Sequence, residues 1–210
     1  MNERINTMKY YDEYAEEFIA STINVSLTKC YRRFETWLKD DSSILDFGCA
    51  GGRDSRYFLE KGYKVTPLDA CSSMCEHTLA YTGLPVMCMH LDELSFHERF
   101  DAIWCCAFLV HLPRHIMPDV ITRILNSLKQ DGILFVSFCK GEGERVDSKG
   151  RFICSYDKND IENLVVRADT RIMDEFETTD KRLGDELNWT NVVVKKAAMQ
   201  PMDLLMDFSW

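Results

Sequence analysis

Ile44-Leu45-Asp46-Phe47-Gly48-Cys49-Ala50-Gly51-Gly52-Arg53-Asp54 is the stretch on which the reading of this chain turns. A short apolar run passes into a glycine-rich turn and then into the start of a helix. Glycines let the backbone reverse sharply after a buried strand and let a ligand approach the main chain. The helix beyond offers unpaired N–H groups and a partial positive charge. The junction is suited to holding a small nucleotide-like molecule.

Outward from that turn the chain alternates strand and helix signals. Residues 43–47 read as a strand, 55–61 as a helix stopped by Gly62, 64–68 as a second strand, 72–81 as a helix and 85–89 as a short strand. The strongly apolar run 100–106 reads as a central buried strand. Val120, Ile121, Ile124, Leu125 and Leu128 recur at helical spacing over 118–129, and Asp131-Gly132 is the expected stop. A strand over 132–139, a helix over 158–168 and two β-rich segments over 170–178 and 189–195 follow. Residues 140–151, rich in Gly and Glu, read as a mobile loop or lid. The alternation implies an α/β, Rossmann-like three-layer sandwich around a mainly parallel sheet. Two helical signals, over 10–20 and 27–39, precede it. The expected division is an N-terminal helical cap over 1–40, the main domain over 41–196 and an apolar tail over 197–210.

Composition narrows the classes. The 210 residues are 46% hydrophobic and 28% charged, enough for one well-buried domain, and the apolar runs are too short for a membrane helix. A net charge of −9 disfavours a broad nucleic-acid surface and favours a small-molecule partner. Nine cysteines in no regular framework suit a reducing cytoplasm. Cys71 with Cys75, and Cys105 with Cys106, lack the spacing of a structural zinc site, so no metal is expected.

The turn discriminates between ligands. A dinucleotide fingerprint needs G-x-G-x-x-G, whereas here Gly48, Ala50, Gly51 and Gly52 stand in its place. Asp46 at the strand end would repel a pyrophosphate but could orient a cationic amino group. Asp69 ends the second strand, where a carboxylate can accept both hydroxyls of a ribose; N-capping the next helix is its alternative role. A methyl on Ala50 is expected to narrow the turn and to demand a negative φ.

With residues 65–69 and 100–104, this motif resembles the class I S-adenosylmethionine-dependent methyltransferases. Tyr10-Tyr11, the helix start at Gly52-Arg53-Asp54-Ser55, residues 103–113, Gly150-Arg151-Phe152 and Trp189-Thr190-Asn191 resemble the branch similar to tellurite-resistance methyltransferases. The resemblance implies a seven-stranded sheet whose last strand is antiparallel, with S-adenosylmethionine as cofactor and S-adenosylhomocysteine as its product. It assigns Asp46, Gly48, Ala50 and Gly52 to the methionine half of the cofactor. Arg53 goes to its carboxylate, Asp69 to the ribose, Leu91 to the adenine, and Cys106 and Ala107 to the loop beneath the sulfonium. His90 stands where many relatives carry a carboxylate for the adenine amino group.

The implied chemistry is in-line displacement on a small-molecule acceptor. His111, just past the fourth strand, is the candidate general base, because imidazole titrates near working pH; a structural bond to a carbonyl is its alternative role. Tyr10, Tyr11, Arg151, Asp180, Arg182, Trp189 and Asn191 are candidates for the acceptor pocket, with salt bridging or core packing as the alternative for each. The expected protein is a cytoplasmic monomer or homodimer, off the membrane. A methyltransferase-like module that binds the cofactor without turnover is the alternative function.

Overall fold

The computed structural model of the chain describes residues 2–180 and 187–197. Five strands, β1 (Ser43–Phe47), β2 (Lys64–Asp69), β3 (Met87–Cys88), β4 (Phe100–Cys105) and β5 (Leu128–Lys140), run parallel in the order β3-β2-β1-β4-β5. Beyond β5 lie β9 (Leu187–Lys196) and then β8 (Thr170–Asp180), with β9 antiparallel to both neighbours. These are the expected seven strands with the last one reversed. A hairpin of β6 (Glu144–Val146) and β7 (Phe152–Tyr156) brings the sheet to nine strands. It joins the sheet only where Cys139 and Lys140 pair with Ser155 and Tyr156.

Strict alternation in the central strands builds two cores, one on each face. Leu45, Phe47, Ile103, Cys105, Leu134 and Val136 enter one cluster, while Ile44, Ala102, Trp104, Ile133 and Phe135 enter the other. Strands covered on both faces must be apolar throughout, which is why β1, β4 and β5 read as continuous hydrophobic runs. The covering helices are α4 (Arg53–Glu60), α5 (Ser72–Thr82), α6 (Met117–Ser127) and α7 (Lys158–Val165). The α7 start is fixed by Asp157, whose carboxylate accepts the Asp160 N–H at 2.8 Å.

Three expectations need correction. The helix α6 ends at Ser127, and Leu128 already pairs with Phe100; residues 129–132 then form an irregularity before Ile133 rejoins Ala102. The stop at Asp131, with φ +63°, therefore belongs to a bulge in the sheet. Residues 140–151 are not one loop, because Glu144–Val146 pairs antiparallel with Phe152–Tyr156. The signal was the buried run Phe152-Ile153-Cys154-Ser155-Tyr156, too short to stand out from a helix segment by periodicity. Ahead of the sheet lie α1 (Asn2–Glu13), α2 (Ala15–Thr22) and α3 (Thr28–Glu35), so the predicted helix over 10–20 is broken at Tyr14.

The turn after β1 departs from expectation at Ala50, which takes φ +45°. Its N–H donates to Asp69 Oδ2 at 2.9 Å, and its carbonyl accepts the Thr78 hydroxyl at 2.6 Å. These bonds, with the Gly48 and Cys49 N–H groups on the Leu68 carbonyl, hold a left-handed alanine at a cost of about 1–2 kcal/mol. Gly48 has φ +79°, and a Cβ there would stand 2.5 Å from a ring carbon of Phe108. Gly48→Ala should therefore lower unfolding free energy by about 2–4 kcal/mol, strain and overpacking together. Ala50→Gly should change it by less than about 1 kcal/mol, since relief of strain offsets chain entropy. Urea denaturation of the two variants checks both, and a silent Gly48→Ala would contradict the turn geometry.

Candidate functional site

A cavity of about 620 Å³ opens beyond the carboxyl ends of β1, β2 and β4 and runs toward the β8–β9 edge. Its floor is the glycine turn, and α1, α2 and the α2–α3 connection roof it. This is where parallel sheets place ligands, since the strand order reverses between β1 and β4.

At one end, Asp69 spans two N–H donors. Its Oδ2 accepts from Ala50 and its Oδ1 from Cys71, each at 2.9 Å. Burial raises its pKa, with the Cys71, Ala50 and Ala70 N–H groups opposing. Asp69 lines the cavity and holds the N–H of Cys71, the residue that opens α5, while no side chain caps that helix. Leu91, His90 and Met74 line the same end and give an apolar slot beside Asp69. His90 also opens the short 3₁₀ turn Leu91–Glu93, its N–H bound to Glu93 Oε2 at 2.7 Å.

Arg53 lines the cavity with its charge already paired. Its Nε and Nη2 hold Asp54 at 2.6 and 2.9 Å. Asp54 also accepts Tyr31 from α3 at 2.5 Å and the Trp104 indole N–H from β4 at 2.8 Å. Burial alone would raise the Asp54 pKa, yet the Arg53 charge and these donors leave it below the usual carboxylate range. Asp46 does not reach the cavity. It is buried behind the turn, bound by the Ser55 hydroxyl at 2.5 Å, and burial with the neighbouring Asp54 charge raises its pKa. Gly52 likewise shapes the site without lining it, as the left-handed residue before α4 pressed against Thr78.

Beyond the turn, Cys106, Ala107 and Phe108 follow β4 along the cavity wall. Ala107, at φ +55°, donates its N–H to Ser137 Oγ at 2.6 Å. His111 is held through both ring nitrogens. Nδ1 lies 2.8 Å from the Phe152 carbonyl, which only accepts, so Nδ1 carries the proton; Nε2 then accepts the Tyr11 hydroxyl at 2.7 Å. Burial, reinforced by the Arg151 charge, pushes the His111 pKa down to about 4. Burial thus moves His111 away from the titration near neutrality expected of it, and its hydrogen bonds make it an acceptor that orients Tyr11. Burial raises the Tyr11 pKa to about 12 against the opposing pull of Arg151.

The remaining nominated residues divide. Tyr11, Asp180, Trp189 and Asn191 line the cavity with His111, whereas Tyr10 and Arg151 stand behind it. Arg151 places Nε and Nη2 on the one Asp147 oxygen Oδ2, at 2.8 and 2.7 Å, and its guanidinium lies 5.4 Å over the Tyr10 ring. Arg182 falls outside the described residues. Sequence reasoning missed Cys71, whose thiol meets Asp12 of α1 at 2.8 Å, and Thr178, whose hydroxyl receives Asn191 Nδ2 at 2.9 Å. Neither carries a sequence signal of its own; only the packing of α1 and the β8–β9 register brings them to the cavity. All nine cysteines are unbridged, and among the described residues no three His, Cys, Asp or Glu side chains cluster as metal ligands would.

Residues 44–132 match a methyltransferase domain family. Among curated relatives, ubiquinone biosynthesis O-methyltransferase of Actinobacillus pleuropneumoniae is 31% identical over 105 residues, covering 45% of this chain and 44% of that protein. The Rickettsia canadensis protein of the same name is 27% identical, over 45% of this chain and 41% of its own length. The chain thus spans less than half the length of these relatives. Two solved structures share the whole fold. The Burkholderia thailandensis 1,6-didemethyltoxoflavin-N1-methyltransferase superimposes with TM-score 0.73 at 20% identity, over 93% of this chain and 87% of the other. N-methyltransferase NodS of Bradyrhizobium japonicum also gives 0.73, at 15% identity over 92% and 100%. The chain has the Rossmann-like fold of S-adenosylmethionine-dependent methyltransferases, and the segment that matches their domain family is the one that builds the cavity floor.

Proposed function

We propose that the protein transfers a methyl group from S-adenosylmethionine to a small-molecule acceptor bound in the same cavity. The observation that carries this is Asp69, fixed by two backbone N–H groups at the edge of a left-handed turn within a cavity large enough for both partners. The residues present fit the cofactor. Asp69 accepts the ribose hydroxyls, Leu91 and Met74 flank the adenine, and the close backbone at Gly48 and Ala50 takes the methionine half. The bound cofactor supplies an activated methyl on a sulfonium; the protein supplies position and dryness.

The finer readings rest on the same residues. The methionine carboxylate is met by Arg53, which Asp54 holds rigid, while Ala50 keeps the left-handed shape that a glycine would take. That shape favours a working site over a silent binding module. Residues 1–40 act as a cap over the main domain, 41–196, since Tyr11, Phe18 and Thr22 roof the cavity. The branch similar to tellurite-resistance methyltransferases is supported by the ordered motifs rather than by any acceptor chemistry. Unbridged cysteines suit the cytoplasm, and among the described residues no helix is long and apolar enough to cross a membrane.

Isothermal titration should show binding of S-adenosylmethionine and S-adenosylhomocysteine. Asp69→Asn should weaken both about tenfold or more, because hydrogen bonds to a charged group are worth about 1.5–3 kcal/mol. Unchanged affinity would remove Asp69 from the ribose role, and no binding to wild type would end the proposal.

His111 yields a stability prediction. Its folded pKa, about 4, lies below its ordinary value of 6.5, so its neutral form stabilises the fold fully above pH 6.5. That contribution is lost as pH falls from 6.5 toward 4, by about 1–3 kcal/mol in all. His111→Gln should lack it. Urea midpoints at pH 7 and pH 5 for both proteins isolate the term, and parallel losses in the two would refute it.

A further inference from the structure

The acceptor end of the cavity offers hydrogen-bond acceptors. Asn191 is 2% exposed, and its Nδ2 is spent on the Phe176 carbonyl at 3.3 Å and on Thr178 Oγ1 at 2.9 Å. The Phe176 carbonyl accepts only, which fixes the amide orientation and leaves Oδ1 without a partner among the described residues on the cavity that Asn191 lines. Asn191 stands opposite Ser137 in the β5–β9 register, and Ser137 holds Ala107, so this oxygen lies under the segment that leads to His111. Tyr11 commits its proton to His111 and presents an oxygen lone pair, with Arg151 close to the same hydroxyl. Among the described residues, Arg151 is bound to Asp147 and His111 Nδ1 to Phe152, Arg53 is the residue assigned to the cofactor carboxylate, and Lys29, which also lines the cavity, donates to the Glu177 carbonyl at 2.8 Å.

We infer that the acceptor is a primary or secondary amine, which docks by donating an N–H to Asn191 Oδ1 and keeps its nitrogen lone pair for the methyl carbon. This rests on the methyltransferase reading and narrows it. A tertiary amine, a thiolate, a carboxylate or a chalcogen oxyanion brings no donor. Each would leave a desolvated amide oxygen unpaired, at a cost of about 1–3 kcal/mol or roughly a tenfold to hundredfold loss of affinity. A hydroxyl has one proton and would have to lose it to become nucleophilic, yet His111 is too weak a base and Tyr11 too weak an acid to manage that exchange. A neutral amine nitrogen carries donor and nucleophile together; an alkylammonium first gives its extra proton to water, before it enters the cavity, and then needs no base at the moment of attack. Its lone pair forms the N–C bond as the S–CH₃ bond breaks, and the broken bond's electron pair stays on sulfur. The positive charge passes to nitrogen, whose protons leave with the methylated product.

The test is binding to the protein loaded with S-adenosylhomocysteine, measured by NMR-detected titration at about pH 9. Benzylamine, N,N-dimethylbenzylamine, phenylmethanethiol, phenylacetate and tellurite are the probes. Benzylamine should bind at least tenfold more tightly than its dimethyl analogue and than either anion. In Asn191→Leu the preference over the dimethyl analogue should collapse, while S-adenosylhomocysteine affinity stays within about twofold. Should that variant not fold, the wild-type comparison of the two amines decides the matter alone. Equal or reversed amine affinities, preferred binding of an anion or the thiol, or no saturable benzylamine binding would each overturn the inference. Failure of S-adenosylhomocysteine to bind in the loading step would instead overturn the methyltransferase reading.

Discussion

The architecture of the site depends on one buried carboxylate. Asp54 receives Arg53 from its own helix, Tyr31 from the cap and the Trp104 indole from the central strand. A lone buried carboxylate would cost several kcal/mol, so the arrangement is stable only with every partner in place. That requirement couples three elements distant in sequence. Tyr31 stacks on Tyr57 at 3.8 Å and lies against Phe58, and Trp104 stacks on Phe135 at 4.0 Å, so the polar hub sits in an aromatic wall that excludes water. Low local polarity strengthens the Arg53 pair and stiffens the helix start beside the glycine turn. The helix α3 is thereby fastened to the sheet through the residue pair that also lines the cavity.

A second fastening closes the other side of the roof and is neutral. Tyr11 and His111 meet edge to face with ring centroids 5.2 Å apart, and Phe152 of the hairpin receives the imidazole proton. The same Phe152 donates its N–H to Thr7 of α1 at 2.9 Å. The hairpin β6–β7 therefore supports the roof rather than swinging as a lid. Among the described residues Arg151 and Asp147 are the charges that act on His111, and they are paired with each other. Burial keeps imidazole and phenol both uncharged at neutral pH, which favours orientation over proton transfer.

What the sequence revealed follows physical rules of unequal strength. Residues 43–47 and 100–105 were legible because a strand covered on both faces has no room for polar residues. The turn was legible because few sequences tolerate alternating left-handed residues, although Ala50 shows that two side-chain bonds can hold an alanine where glycine is usual. The end of α6 was misread, since a helix-to-strand change without a loop leaves the apolar pattern unbroken, and the five-residue strand β7 was too short to stand out. Asp54 lay in plain sight, but its partners are 23 and 50 residues away and nothing local marks them. Titration was the least legible property. His111 and Asp46 are moved by burial, and burial belongs to the fold.

The cavity also divides along the chain in a way that separates two kinds of knowledge. One end, from Gly48 to Leu112, falls wholly within the segment matched by the methyltransferase domain family. Its other end comes from α1 to α3 and from β8 and β9, outside that segment. On the proposed reading a ligand shared by many proteins constrains the first end, because ribose hydroxyls and a close backbone approach demand the same atoms each time. The second end is free to change with the acceptor, since it hangs on the rigid sheet through Asn191 and on the cap through Tyr11. Relatives matched over the first end therefore bear on that end alone. The second has to be read from atoms such as Asn191 Oδ1, which has no hydrogen-bond partner among the described residues.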